Sequence, residues 1–88
     1  MEKIELVPIH SKQKTFHKKA CTQEHGNEIF LYSYDIIVAK TIKYKNIAEV
    51  YQIQTNSTLR HVMEFLKQSG FKAESKKQVI EDYFIKTV

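Results

Sequence analysis

Four histidines and one cysteine carry most of the reactive chemistry in this 88-residue chain. A zinc site needs thiolates and imidazoles in short pairs, Cys-x-x-Cys or two histidines a helical turn apart. His10, His17, His25, His61 and Cys21 form no such pairs, so neither a metal nor any other cofactor is expected. Nucleophilic catalysis needs a thiol or hydroxyl held by a basic imidazole. In the strand register derived below, Cys21 lies mid-strand beside Tyr32, a packing position, so we expect no catalytic residue and no enzyme. Arg60, His61 and Glu64 form a polar set at helical spacing. Arg60 and Glu64 are an i, i+4 pair worth about 0.2–0.5 kcal/mol. Ser57, Thr58 and Arg60 form a candidate anion site, because a helix start offers free amides and a positive dipole end. The plainer alternative is a cap and a surface pair, with His61 hydrogen-bonding a neighbouring strand.

The remaining chemistry is basic and aromatic. The net charge is +4 and the sequence pI about 9.2, a balance that suits DNA, RNA or acidic protein partners. Lys40, Lys43 and Lys45 flank one hairpin end and interleave with Tyr44, a pattern able to touch phosphates without reading sequence. The solvent side of the predicted sheet carries Lys19, Cys21, Gln23, Phe30, Tyr32, Tyr34, Ile37, Thr41, Val50 and Gln52. Three roles compete for this face: stacking of bases on tyrosines beside lysines, a protein interface rich in Tyr and Phe, or simple cover by residues 4–9.

The elements that position these groups follow from pattern and punctuation. Only two glycines and one proline occur. Gly26-Asn27 sits between two β-prone runs and suits a two-residue type II′ or I′ turn, pairing Glu24 with Ile29, Thr22 with Leu31 and Ala20 with Ser33. The run from Ile29 to Ile42 would extend about 45 Å as one strand, too long for so small a domain. Ser33-Tyr-Asp-Ile36 is the natural turn, because Ser and Asp bond local amides; it sets Leu31 opposite Val38. A turn at Lys43-Tyr-Lys-Asn46 pairs Ile42 with Ile47, Lys40 with Glu49, Val38 with Tyr51 and Ile36 with Ile53. One face then holds Ala20, Ile29, Leu31, Ile36, Val38, Ile42, Ile47, Tyr51 and Ile53. Ser57 or Thr58 caps a first helix whose stripe is Leu59, Val62, Met63 and Leu66. Gly70 ends it, with Phe71 folding back on Leu66. Ser75-Lys-Lys-Gln78 opens a second helix as a capping box.

The expected fold is therefore α+β, a four-stranded antiparallel β-meander with two C-terminal helices packed on one face. Residues 1–88 form a single domain: an N-terminal arm or edge strand over 1–15, the meander over 16–54, and helices over 57–69 and 75–86. The expected core is Leu31, Val38, Ile53, Leu59, Val62, Leu66 and Ile80. No apolar run reaches the 18 or so residues a membrane span needs. The first residues lack an apolar export segment, and a lone cysteine excludes an internal disulfide. A cytoplasmic location, with no membrane contact, is expected.

Three segments resemble a family of small uncharacterised proteins from phages, plasmids and other mobile elements of Gram-positive bacteria. They are Lys14-Thr-Phe-His-Lys-Lys-Ala20, Leu31-Tyr-Ser-Tyr-Asp-Ile-Ile-Val-Ala39 and Ser57-Thr-Leu-Arg-His-Val-Met-Glu-Phe-Leu66. The family pattern is Leu-x-Ser-Tyr-Asn/Asp-x-x-Val-Ala, then Thr-Thr-x-Arg-His-x-x-Glu-Phe-Leu opening a helix. His17 stands where the pattern has tyrosine, and Ser57 where it has the first threonine. The resemblance implies a mobile-element context and no particular activity. The expected function is a small non-enzymatic accessory protein of a mobile element, nucleic-acid binding through the basic and aromatic sheet face. The contact residues would be Lys19, Phe30, Tyr32, Tyr34, Lys40, Lys43, Tyr44 and Lys45. The alternative is a protein-binding module that inhibits or modulates a host or defence protein, or that pairs as a homodimer.

Overall fold

Gly26, at φ +60°, opens a tight turn that only a residue without Cβ adopts freely. With Asn27 it makes a type II′ hairpin between β2 (Ala20–His25) and β3 (Glu28–Ser33). In the computed structural model, which describes residues 2–85, the register of this hairpin is the expected one: Ala20 opposite Ser33, Thr22 opposite Leu31, Glu24 opposite Ile29. β4 (Ile36–Ile42) and β5 (Ile47–Val50) complete the meander, with Ile42 facing Ile47 and Lys40 facing Glu49 as expected.

The sheet has five strands rather than four, in the order β1-β2-β3-β4-β5. The extra one, β1 (Ile4–Glu5), lies antiparallel to β2, with the Leu6 amide donating to the Ala20 carbonyl at 2.9 Å. Beyond it the arm runs against a helix and does not cover the solvent side of the sheet. Leu6 and Phe16 enter the core, and the Ile9 and His10 amides donate to Glu64.

A β-bulge between β3 and β4 changes the inward set. Leu31 opposes Ala39, not Val38, while Tyr32 still faces Ile37 near the turn. One extra residue on β4 turns both Val38 and Ala39 into the core and reverses the alternation beyond them. Thr41 and Val50, expected on the solvent side, are therefore buried, and Ile47 is exposed. Ile36, beside the turn, is exposed as well.

Helix α1 spans Asn56–Gln68 and α2 spans Lys76–Tyr83. The α1 cap is Thr55, not Ser57 or Thr58: its Oγ1 accepts from the Thr58 amide at 3.1 Å. The other end closes as expected, with Gly70 at φ +87° and the Phe71 amide donating to the Leu66 carbonyl at 2.8 Å. Ser75 caps α2 through the Gln78 amide, but the Gln78 side chain accepts from Glu74 rather than closing on Ser75. α2 stops at Tyr83, where Phe84 turns extended and bridges Val50 in parallel; residue 86, to which the sequence extended this helix, lies outside the described residues.

Leu31, Val38, Val62 and Leu66 are buried as expected, joined by Ala20, Phe65, Ala73 and Val79. Ile53 only packs against that cluster, Leu59 is half-buried and Ile80 is exposed, leaving Val79 as the buried residue of α2.

Candidate functional site

The three motif segments meet inside the fold. Ser33 Oγ lies 2.8 Å from His61 Nδ1 and 3.2 Å from Thr58 Oγ1, and Thr55 Oγ1 donates to Thr58 Oγ1 at 3.3 Å. His61 is only 3% exposed. Its ring meets Phe16 edge-on at 4.6 Å between centroids and Tyr34 at 5.7 Å. Burial, and then the nearby Lys19 charge, lower its pKa, so the ring is neutral at pH 7. A hydroxyl–imidazole contact is the raw material of nucleophilic catalysis, but here both groups are buried, and the contact fastens β3 to α1. Glu64, one turn further along α1, holds the arm. Its carboxylate accepts from the Ile9 amide at 3.0 Å, the His10 amide at 3.0 Å and the Gln68 side chain at 2.7 Å. Burial raises the Glu64 pKa, and the bonds from Gln68, Ile9 and His10 outweigh it, leaving the pKa low.

The solvent side of the sheet divides into two ends. At one end Lys40 Nζ lies 2.7 Å from Glu28 and 3.6 Å from Glu49, and 5.9 Å from the Phe30 ring centroid. The hydrogen bond to Glu28 raises the Lys40 pKa. Tyr51 donates to Glu49 at 2.9 Å, while Lys43 pairs with Glu24 on the helix-facing side, beside Ile29, Thr41 and Gln68. Two of the three lysines expected at the basic hairpin are thus neutralised by glutamates; Tyr44 and Lys45 stand exposed at its tip.

At the other end, Lys18, Lys19, Cys21, Tyr32, Tyr34 and Asp35 line a cleft of about 200 Å3. Lys19 Nζ lies 5.6 Å from the Tyr34 ring centroid, and Lys3 Nζ sits 4.0 Å over Tyr32. Tyr32 donates its hydroxyl to Gln23 Oε1 at 3.0 Å. No ion pair engages Lys3, Lys18 or Lys19 among the described residues.

Two adjacent turns build this corner. His17 and Lys18 have φ +54° and +62°, and the Lys19 amide donates to Phe16 across them at 3.0 Å. Tyr34 and Asp35 have φ +52° and +66°, and the Tyr34 amide donates to the Lys19 carbonyl at 2.9 Å, tying the two turns together. The left-handed region suits Asn, Asp and Gly, whereas Lys18 and Tyr34 hold it against a cost of about 1–2 kcal/mol each.

Of the residues the sequence nominated, Lys19, Tyr32 and Tyr34 come together here, Phe30 and Lys40 meet at the paired end, and Lys43 lies on the helix-facing side with Glu24. Lys3 and Lys18 were missed. The Lys18-Lys19 doublet was visible, but nothing in residue type announced a left-handed turn there. Ser57, Thr58 and Arg60 do not converge: Thr58 is buried against Ser33, while exposed Arg60 lines a separate hollow with His10, Ser11 and Glu64. Among the described residues, no three of His, Cys, Asp and Glu are placed to hold a metal ion, and no helix is long and apolar enough to cross a membrane.

The described residues form a small α+β domain with a basic, aromatic corner on its sheet. The chain belongs to the family of unknown function DUF8033, whose model matches residues 4–82. No curated protein and no solved structure matches it.

Proposed function

We propose that this protein is a small non-enzymatic accessory protein of a mobile element, working in the cytoplasm, that binds single-stranded nucleic acid through the corner formed by Lys3, Lys18, Lys19, Tyr32 and Tyr34. The mobile-element setting comes from the motif resemblance alone. The binding reading rests on one observation: two tyrosine rings, each approached by a lysine ammonium, share a cleft whose cations lack ion pairs among the described residues. Bases stack on aromatic faces whatever their sequence, and unpaired ammoniums beside them serve the phosphates. With the arm held against α1 by Glu64, a strand of nucleic acid would have free approach to this corner.

A second reading, a protein-binding module, is favoured by a different observation. At the paired end, Phe30 and Tyr51 are half-exposed around a lysine that Glu28 and Glu49 neutralise, which suits a protein surface better than a phosphate chain. The two readings separate by salt. Binding of a labelled single-stranded oligonucleotide at low salt, lost steeply as salt is raised, supports the first. No binding up to tens of micromolar removes it and leaves the second.

A further inference from the structure

The two edges of the sheet are finished differently. At the β5 edge, Phe84 bridges Val50 and the Ile85 amide donates to the Val50 carbonyl at 2.8 Å. At the β1 edge nothing among the described residues pairs with the outward backbone. Because Leu6 directs its amide inward to Ala20, alternation along an antiparallel strand turns the amide and carbonyl of Glu5, and those of Lys3, outward. The ladder is stopped at one end, where the Val7 carbonyl accepts from the Gln68 side chain at 2.7 Å.

Charged edge strands normally discourage pairing with another copy. The segment Lys3-Ile4-Glu5 does the reverse. Laid antiparallel against a second copy about an axis through Ile4, it sets Lys3 of each copy opposite Glu5 of the other. These are the two residues with outward backbone groups, so they form the hydrogen-bonded pairs. Ile4 then falls at the non-hydrogen-bonded position, where paired Cα atoms approach to about 4.5 Å and side chains touch. Strand phase, charge and hydrophobicity select the same register. The residues that would gain cover are the exposed apolar ones here: Ile4 is 67% exposed, Val7 54% and Ile9 71%. With Leu6, Ile29 and Phe65 they line a hollow of about 350 Å3. Glu5 has no ion pair within its own chain among the described residues.

We infer that the β1 edge is a self-association site, and that two copies join Lys3-Ile4-Glu5 to Lys3-Ile4-Glu5 in an antiparallel, two-fold arrangement that continues the sheet across both. The contact is short, so the dimer is a reversible one. It shares Lys3 with the proposed nucleic-acid corner, whereas Ile4 and Glu5 belong to this contact alone, so the two readings fail separately.

Sedimentation equilibrium on the full chain, from about 1 to 300 µM protein without nucleic acid, tests this. The expected mass climbs from the 10.4 kDa monomer towards twice that value. Glu5→Lys sets like charges against Lys3 in both copies and should weaken association at least tenfold. Adding Lys3→Glu reverses both charges and should restore it. Ile4→Lys, at an exposed position that leaves the fold intact by circular dichroism, should abolish it. A monomer throughout the range overturns the inference. So does a dimer indifferent to Glu5→Lys and Ile4→Lys, or a charge-swapped pair that fails to recover while folded.

Discussion

The Lys40 end and the Lys19 corner of the solvent-facing sheet use the same residue types for different ends. At the first, a lysine over an aromatic ring is held by Glu28 and Glu49. At the second, lysines over aromatic rings have no carboxylate holding them among the described residues. Cross-strand charge pairs contribute to sheet stability and leave little net charge for a ligand. Unpaired cations cost stability through mutual repulsion and keep their charge for a partner. The difference teaches that counting lysines along a sequence is a poor guide to a binding surface, because the glutamates that silence them are brought up by neighbouring strands.

The comparison can be broken by substitution. Reversing both cations, Lys18→Glu with Lys19→Glu, should lower affinity for a single-stranded oligonucleotide about a hundredfold at low salt, read by fluorescence anisotropy. Tyr34→Ala should cost about 1–3 kcal/mol of binding, the usual loss for one stacked base. Lys18→Gly relieves a left-handed residue and should raise stability by about 1 kcal/mol in urea unfolding while weakening binding. Lys40→Met should leave binding unchanged and lower stability by no more than about 1 kcal/mol, as expected for a partly exposed ion pair.

The smallest effect is in pH. An unfolded histidine takes up its proton near pH 6.5, whereas buried His61 resists protonation. Unfolding therefore binds a proton, and stability falls as pH drops below about 6.5. Because Tyr34 rests on His61, the Lys19 corner should loosen with it, and His61→Gln should flatten the stability profile between pH 7 and 5.

Much of this was legible in the sequence. Gly26-Asn27 fixed the β2–β3 register, the Lys40–Glu49 pairing located the last hairpin, and Gly70-Phe71 marked the end of α1. His61 bonding a neighbouring strand was foreseen as the plain alternative to an anion site, and it is what Ser33 provides. The bulge was not legible, since Val38 and Ala39 are both apolar and no glycine marks the extra residue. Missing it inverted the faces of Thr41 and Val50. The corner was half legible. Lys19, Tyr32 and Tyr34 were placed on the solvent side, but the conformation of Lys18 and Tyr34 follows from tertiary packing and contradicts their own preference. The arm was unreadable for a further reason: Glu64 looked like the surface partner of Arg60, and instead it is buried as the acceptor for Ile9 and His10.

The most direct test of the claim that the Lys19 corner, rather than the Lys40 end, is the contact surface is the salt dependence of oligonucleotide affinity in three proteins. Log affinity against log salt is measured for the parent chain, Lys19→Ala and Lys40→Ala. A lysine that neutralises a phosphate contributes about one unit of slope or slightly less. The account predicts a shallower slope and weaker binding for Lys19→Ala, and the parental line for Lys40→Ala. A parental slope in Lys19→Ala with a reduced one in Lys40→Ala would contradict it.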